Sequence, residues 1–158
     1  MAELALIVSI FKIAGSALDI GAKLFKVGSA IGQAGTEVRL IANEITSTSQ
    51  VLSHLGNVLK SQGRRQPDAR RIAEQSLAIC DPLFEEMKTL LRILNPLVER
   101  LKHGWTGNFN LRLRWLFKKS KFALQRQSLE SVKTSLTLLV SSMAYVEASR
   151  NQESDEIL

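Results

Sequence analysis

The stretch Ala2–Gly35, AELALIVSIFKIAGSALDIGAKLFKVGSAIGQAG, decides the fold of this chain. Between Leu4 and Ile31 nearly every residue is apolar or small, and the polar exceptions Ser9, Lys12, Ser16, Asp19, Lys23 and Lys26 recur at spacings of three and four. That spacing is one stripe of an α-helix. The segment reads as a helix with one wet seam. Its other side, Leu6, Ile7, Ile10, Phe11, Ala14, Ala17, Leu18, Gly21, Leu24, Phe25, Gly28 and Gly32, is taken as a single apolar face that needs cover.

Two kinds of cover lead to different functions. In one, this is the central helix of a soluble bundle, where small residues let neighbouring helices approach closely. In the other, the helix exchanges protein for lipid. Gly15, Gly21, Gly28, Gly32 and Gly35 each cost about 0.5–1 kcal/mol relative to alanine inside a helix, so a chain needing only a stable helix is better served by alanine. Gly28 and Gly32, four apart, suit close contact between helices in a membrane, and with Gly21 they are the candidate helix-packing glycines.

The rest of the chain narrows the class. A chain of 158 residues, 45% hydrophobic and 23% charged, can build one domain with a proper core. The single cysteine, Cys80, excludes an internal disulfide framework and reads as a small core residue. His54 and His103 have no ligand partner three or four residues away, so no metal is expected. Neither a glycine-rich phosphate loop nor a catalytic constellation stands out, so no enzyme activity and no cofactor are expected. Glu3 and Lys12 argue against a secretory signal, and Lys12, Asp19, Lys23 and Lys26 argue against an ordinary transmembrane span. A cytoplasmic protein that meets a membrane only conditionally fits this pattern, and so does one that never meets a membrane.

The net charge of +6 is unevenly spread. Lys60, Arg64, Arg65, Arg70 and Arg71 form one basic patch; Arg112, Arg114, Lys118, Lys119, Lys121 and Arg126 form a second, mixed with Trp105, Phe109, Trp115, Phe117 and Phe122. Basic residues with aromatics occur at membrane interfaces and in nucleic-acid grooves, and also as a solvated helix face with its aromatics turned inward. Nucleic-acid binding by this face rests on charge alone, and no nucleic acid is expected as a partner.

In chain order, Gly35 reads as the residue ending the first helix and Thr36 as the cap of a second, which runs to about Ser61 on the seam Val38, Ile41, Ile45, Thr48, Leu52, Leu55 and Leu59. Asp68 reads as the cap of a third helix. That helix has the seam Ala69, Ala73, Ser76, Cys80, Leu83, Met87, Leu90, Leu94, Leu97 and Leu101, a kink at Pro82 and a sharper bend or restart at Pro96. Residues 111–121 form a short helix or lead into the last one, whose seam is Leu129, Val132, Leu136, Leu139, Met143 and Val146. Asn151–Leu158 reads as an acidic frayed tail. The expectation is an all-α bundle of four to five helices over residues 1–150.

Four blocks in this order resemble the fungal HeLo-like domain: the opening Met-Ala-Glu-Leu-Ala with its apolar, glycine-containing helix; Glu37-Val38-Arg39; Trp115-Leu116-Phe117-Lys118-Lys119-Ser120-Lys121; and Leu129-Glu130-Ser131-Val132-Lys133-Thr134-Ser135-Leu136. That domain stands at the N-terminus of fungal NOD-like (STAND) receptors and related cell-death proteins. The resemblance implies a helical bundle that is held inactive, oligomerises on a signal from an upstream receptor or an amyloid-type partner, and sends its first helix into the plasma membrane. It implies Leu4, Leu6, Ile7, Ile10 and Phe11 as the inserting residues, and Arg112, Arg114, Lys118, Lys119 and Lys121 as the residues facing anionic lipid. No amyloid repeat or nucleotide-binding module is read in the sequence up to Leu158, so the expectation is either an excised domain or a regulator that lies elsewhere. The alternative is an adaptor domain of an immune-type receptor, without membrane activity of its own. Deleting residues 2–12 is expected to separate the two, leaving a folded, inactive bundle in the first case and no fold in the second.

Overall fold

The computed structural model describes residues 2–30, 35–62, 67–102 and 122–157. They form four helices and no strand: α1 (Ala2–Ala30), α2 (Thr36–Gln62), α3 (Pro67–Lys102) and α4 (Phe122–Ile157). The short helix expected within 111–121 lies outside the described residues, as do the side chains of Leu90, Leu94, Leu97 and Leu101.

The α2 seam is the clearest link from sequence to core: Val38, Ile41, Ile45, Thr48, Leu52, Leu55 and Leu59 are all buried. The same core holds Ile10, Ala14, Ala17, Ile20 and Leu24 of α1, Ala73, Cys80, Phe84 and Met87 of α3, and Leu129, Leu136 and Met143 of α4. The helices pack in the cyclic order α1, α2, α4, α3, so α1 and α4 occupy opposite corners. The α2–α4 corner is tied by Lys133 Nζ, which donates to Glu44 Oε2 at 2.7 Å in a half-buried pair. At the α3–α4 corner the Gln125 amide donates to the Glu86 carboxylate.

Several boundaries differ from the expectation. α3 starts at Pro67, the first helical position, where a missing N–H costs nothing; Asp68 thus sits inside the first turn rather than capping it. The helix runs without a restart through Pro82 and Pro96, both of which are exposed. On the solvent side, water can serve the carbonyls that the two prolines leave unpaired. α4 continues through residues 151–157 instead of fraying, with every one of those side chains exposed. A segment free of proline and glycine extends a formed helix at little cost, since each added residue gains a hydrogen bond.

Candidate functional site

α1 presents three faces. The core face carries Leu6, Ile7, Ile10, Ala14, Ala17, Ile20, Leu24 and Val27. The polar stripe Lys12, Asp19, Lys23 and Lys26 faces solvent, with Asp19 and Lys23 paired at 2.9 Å one turn apart. Between them lies an apolar stripe turned outward: Leu4 is 61% exposed, Val8 58%, Phe11 37%, Leu18 52% and Phe25 47%. The single apolar face read from the sequence is thus two, and Phe11, Leu18 and Phe25 belong to the outer one. Among the described residues the helices that pack extensively on α1 are α2 and α3, and these two leave part of its wide apolar arc uncovered.

The contact with α2 is close and specified by small residues. A Cβ on Gly21 would lie 2.6 Å from Thr46 Oγ1 and 3.2 Å from the Ala42 carbonyl oxygen; one on Gly28 would lie 2.8 Å from Arg39 Cγ and 3.0 Å from the Gly35 carbonyl oxygen. One on Gly56 would lie 2.8 Å from the Phe11 ring. Falling numbers on α1 meet rising numbers on α2, so the pair is an antiparallel hairpin. The hydroxyl of Ser49, itself buried, donates to the Ala14 carbonyl oxygen at 2.7 Å and spans the two backbones. Gly35 acts differently from the helix-ending residue expected of it. It directly precedes α2, and a Cβ there would lie 1.9 Å from the Gly28 carbonyl oxygen, so it is needed for close backbone approach rather than for a left-handed turn.

The contact with α3 is more open. A groove of about 640 Å³ runs along it, with Leu6, Ile13, Leu77 and Phe84 among its apolar lining and Lys12, Glu74, Asp81, Glu85 and Lys88 among its charges. Cys80 is buried in the core, and its thiol is pushed up to about 12, by burial first and by the neighbouring Asp81 carboxylate second. It is an inert core residue rather than a nucleophile.

Of the five candidate inserting residues, Leu6, Ile7 and Ile10 are in the core, while Leu4 and Phe11 are exposed. Buried at about 1.5–3 kcal/mol each, the six large side chains Leu6, Ile7, Ile10, Ile20, Leu24 and Val27 hold α1 down with on the order of 10 kcal/mol. Gly21 and Gly28 sit at the α1–α2 contact, whereas Gly15 faces open space. Gly32 and the basic residues Arg112, Arg114, Lys118, Lys119 and Lys121 lie outside the described residues.

By length and composition Leu4–Ala30 is sufficient to cross a membrane, with a mean hydropathy of 1.8 and 33% of its most apolar window buried in the bundle. The charges that argue against a span from sequence alone are too few in that window to exclude one. The outward stripe is what the sequence reading missed. Its signal is present in the spacing of 4, 8, 11, 18 and 25, whose gaps of four, three, seven and seven keep one helical stripe beside the core stripe. Compared with family models, with curated proteins and with solved structures, the chain matches none of them.

Proposed function

We propose that this bundle is a membrane-binding, membrane-permeabilising effector domain of the HeLo-like, cell-death type, with α1 as its working part. The observation that carries the reading is the double character of α1, which has the length and apolarity of a span while most of that span is not buried in the bundle. Its 27 residues from Leu4 to Ala30 measure about 40 Å as a helix, against a hydrocarbon core of about 30 Å. The resemblance in residue blocks supports the same reading.

The charges shape how such a helix would work. Lys12, Asp19, Lys23 and Lys26 lie on one stripe, and a charge at the bilayer centre costs about 2.5–3.5 kcal/mol or more. One helix alone would leave that stripe in lipid. Several helices turning it toward a shared aqueous interior would not, so permeabilisation goes with self-association. In the cytoplasm the core contacts keep α1 docked, and an upstream receptor or amyloid-type partner would supply the trigger for relocation to the plasma membrane. Anionic lipid would offset part of the release cost, at about 1 kcal/mol for each basic side chain near the surface.

The test is dye release from vesicles with and without anionic lipid, comparing the intact chain with Leu4→Glu and Val8→Glu, both at exposed positions. Leakage that requires anionic lipid and is lost in variants that remain helical is the expected result. If the intact chain leaks no dye, even when oligomerised by a fused trigger, the reading fails. A second reading, an adaptor-type helical interaction domain, draws support from the core positions of Leu6, Ile7 and Ile10. Because those side chains are core, deletion of residues 2–12 damages the fold under both readings and does not separate them.

A further inference from the structure

The outward stripe of α1 is more ordered than an apolar patch needs to be. Including its small members, it runs Leu4, Val8, Phe11, Gly15, Leu18, Ala22, Phe25 and Ser29, all exposed, with spacings that alternate four and three. That is a coiled-coil seam sustained for four heptads. Its two positions differ consistently in size: one holds Leu4, Phe11, Leu18 and Phe25, the other Val8, Gly15, Ala22 and Ser29.

We propose that docked α1 pairs through this stripe with α1 of a second copy of the chain, as an antiparallel, two-fold coiled coil. In a parallel pair each layer would match like with like, Phe11 against Phe11 and Gly15 against Gly15, alternating clashes with voids. In an antiparallel pair each layer takes one residue of each kind. The full-length register sets Leu4 against the partner's Ser29, Val8 against the partner's Phe25, Phe11 against the partner's Ala22 and Gly15 against the partner's Leu18. Gly15 has the room for this, since a Cβ placed there meets nothing within 4 Å.

Charge selects the same register independently. The residues flanking the stripe on its solvent side are Ala5, Lys12, Asp19 and Lys26, all exposed. In the full-length register Lys12 comes beside the partner's Asp19, twice by symmetry. A slip of one heptad in one direction brings Lys12 beside the partner's Lys12, and in the other direction Asp19 beside the partner's Asp19. Asp19 keeps its own Lys23 in reach throughout. The five half-exposed large side chains offer on the order of 100 Å² each, so the pair would cover about 1,000 Å², the lower bound for a specific interface. An anionic lipid surface has no use for alternating residue sizes or for an acid in the middle of the flank, and so fits the pattern less well than a second copy does. The inference rests on docked α1 and does not depend on the membrane reading.

The experiment is analytical ultracentrifugation of the full chain without lipid, over a micromolar-to-millimolar range, with far-UV circular dichroism as the check on folding. The expected result is a dimer that Leu18→Glu abolishes with helicity retained. Gly15→Leu, placed in open space, should do the same and serves if Leu18→Glu does not fold. Asp19→Lys should weaken the dimer about tenfold, and Lys12→Asp combined with Asp19→Lys should restore it. A wild-type chain that stays monomeric throughout overturns the proposal, as does a dimer indifferent to Leu18→Glu or a charge reversal without rescue. A monomer whose vesicle binding is lost in Leu18→Glu overturns it too, and assigns the stripe to lipid.

Discussion

Two glycines of α1 should respond in opposite directions to the same substitution. At Gly15 an added methyl meets nothing within 4 Å, so Gly15→Ala gains the helix preference of alanine and stabilises by about 0.5–1 kcal/mol. At Gly21 the same methyl lands 2.6 Å from Thr46 Oγ1, 3.2 Å from the Ala42 carbonyl oxygen and 3.5 Å from the Thr46 nitrogen. Thr46 is not free to yield, because its hydroxyl donates to that Ala42 carbonyl at 2.9 Å. Overpacking of this kind costs about 1–3 kcal/mol, so Gly21→Ala should come out destabilised by about 1 kcal/mol after the helix gain. The two variants should therefore differ by about 2 kcal/mol, which is about 4–8 °C in Tm at this chain length. Urea unfolding followed by far-UV circular dichroism, at low protein concentration, reads the difference. A cycle with Thr46→Ala localises it, since removing Oγ1 should recover about 1 kcal/mol of the Gly21→Ala cost. If Gly21→Ala stabilises as Gly15→Ala does, or its cost is unchanged beside Thr46→Ala, the close α1–α2 contact is wrong.

Other outcomes follow from single contacts. Ser49→Ala removes the buried hydrogen bond to the Ala14 carbonyl and should cost about 0.5–1.5 kcal/mol in the same urea titration. Leu4→Glu should leave the circular dichroism spectrum and Tm nearly unchanged, because Leu4 is exposed. Leu6→Glu should unfold the chain or lower its Tm by many degrees, because Leu6 is core. For Cys80 the folded thiol titrates higher than the ordinary value of 9.0, near 12. The stability it contributes is therefore present below pH 9 and is lost as pH rises from 9 toward 12, because the unfolded thiol ionises first. The stability of Cys80→Ala should fall less steeply than that of the wild type between pH 9 and 11 in urea titrations.

How much of this was legible depended on whether the apolar residues of a helix are confined to the arc its neighbours cover. The α2 seam was fully readable, because α2 packs on both α1 and α4 and its apolar residues fill one arc. In α1 the wet stripe was readable from Lys12, Asp19, Lys23 and Lys26, whose charges fix them in solvent. Which apolar residues beside it find a partner was not, since Phe11 and Ile10 are equally apolar and only the placement of α2 and α3 decides that Ile10 is covered first. The α3 seam was readable as far as Met87 but overcounted the prolines, because sequence does not say that Pro82 and Pro96 face water. The glycines were readable as close-packing positions but with two neighbours open: Gly21 and Gly28 approach α2 of their own chain, a hairpin contact that spacing alone does not distinguish from one in a membrane.

The two flanks of α1 also set where the bundle would part. On the α2 side the backbones nearly touch at Gly28 and Gly35, and the Ser49 hydroxyl bridges them at Ala14. On the α3 side the helices flank an open groove lined in part by charged side chains. A fault line therefore runs between α1 and α3, while α2 stays tied to α4 through the Lys133–Glu44 pair. A force on the N-terminus would meet the looser flank first, beside Phe84, and the glycine bed on α2 second, so that opening has two stages with α1 as the moving part.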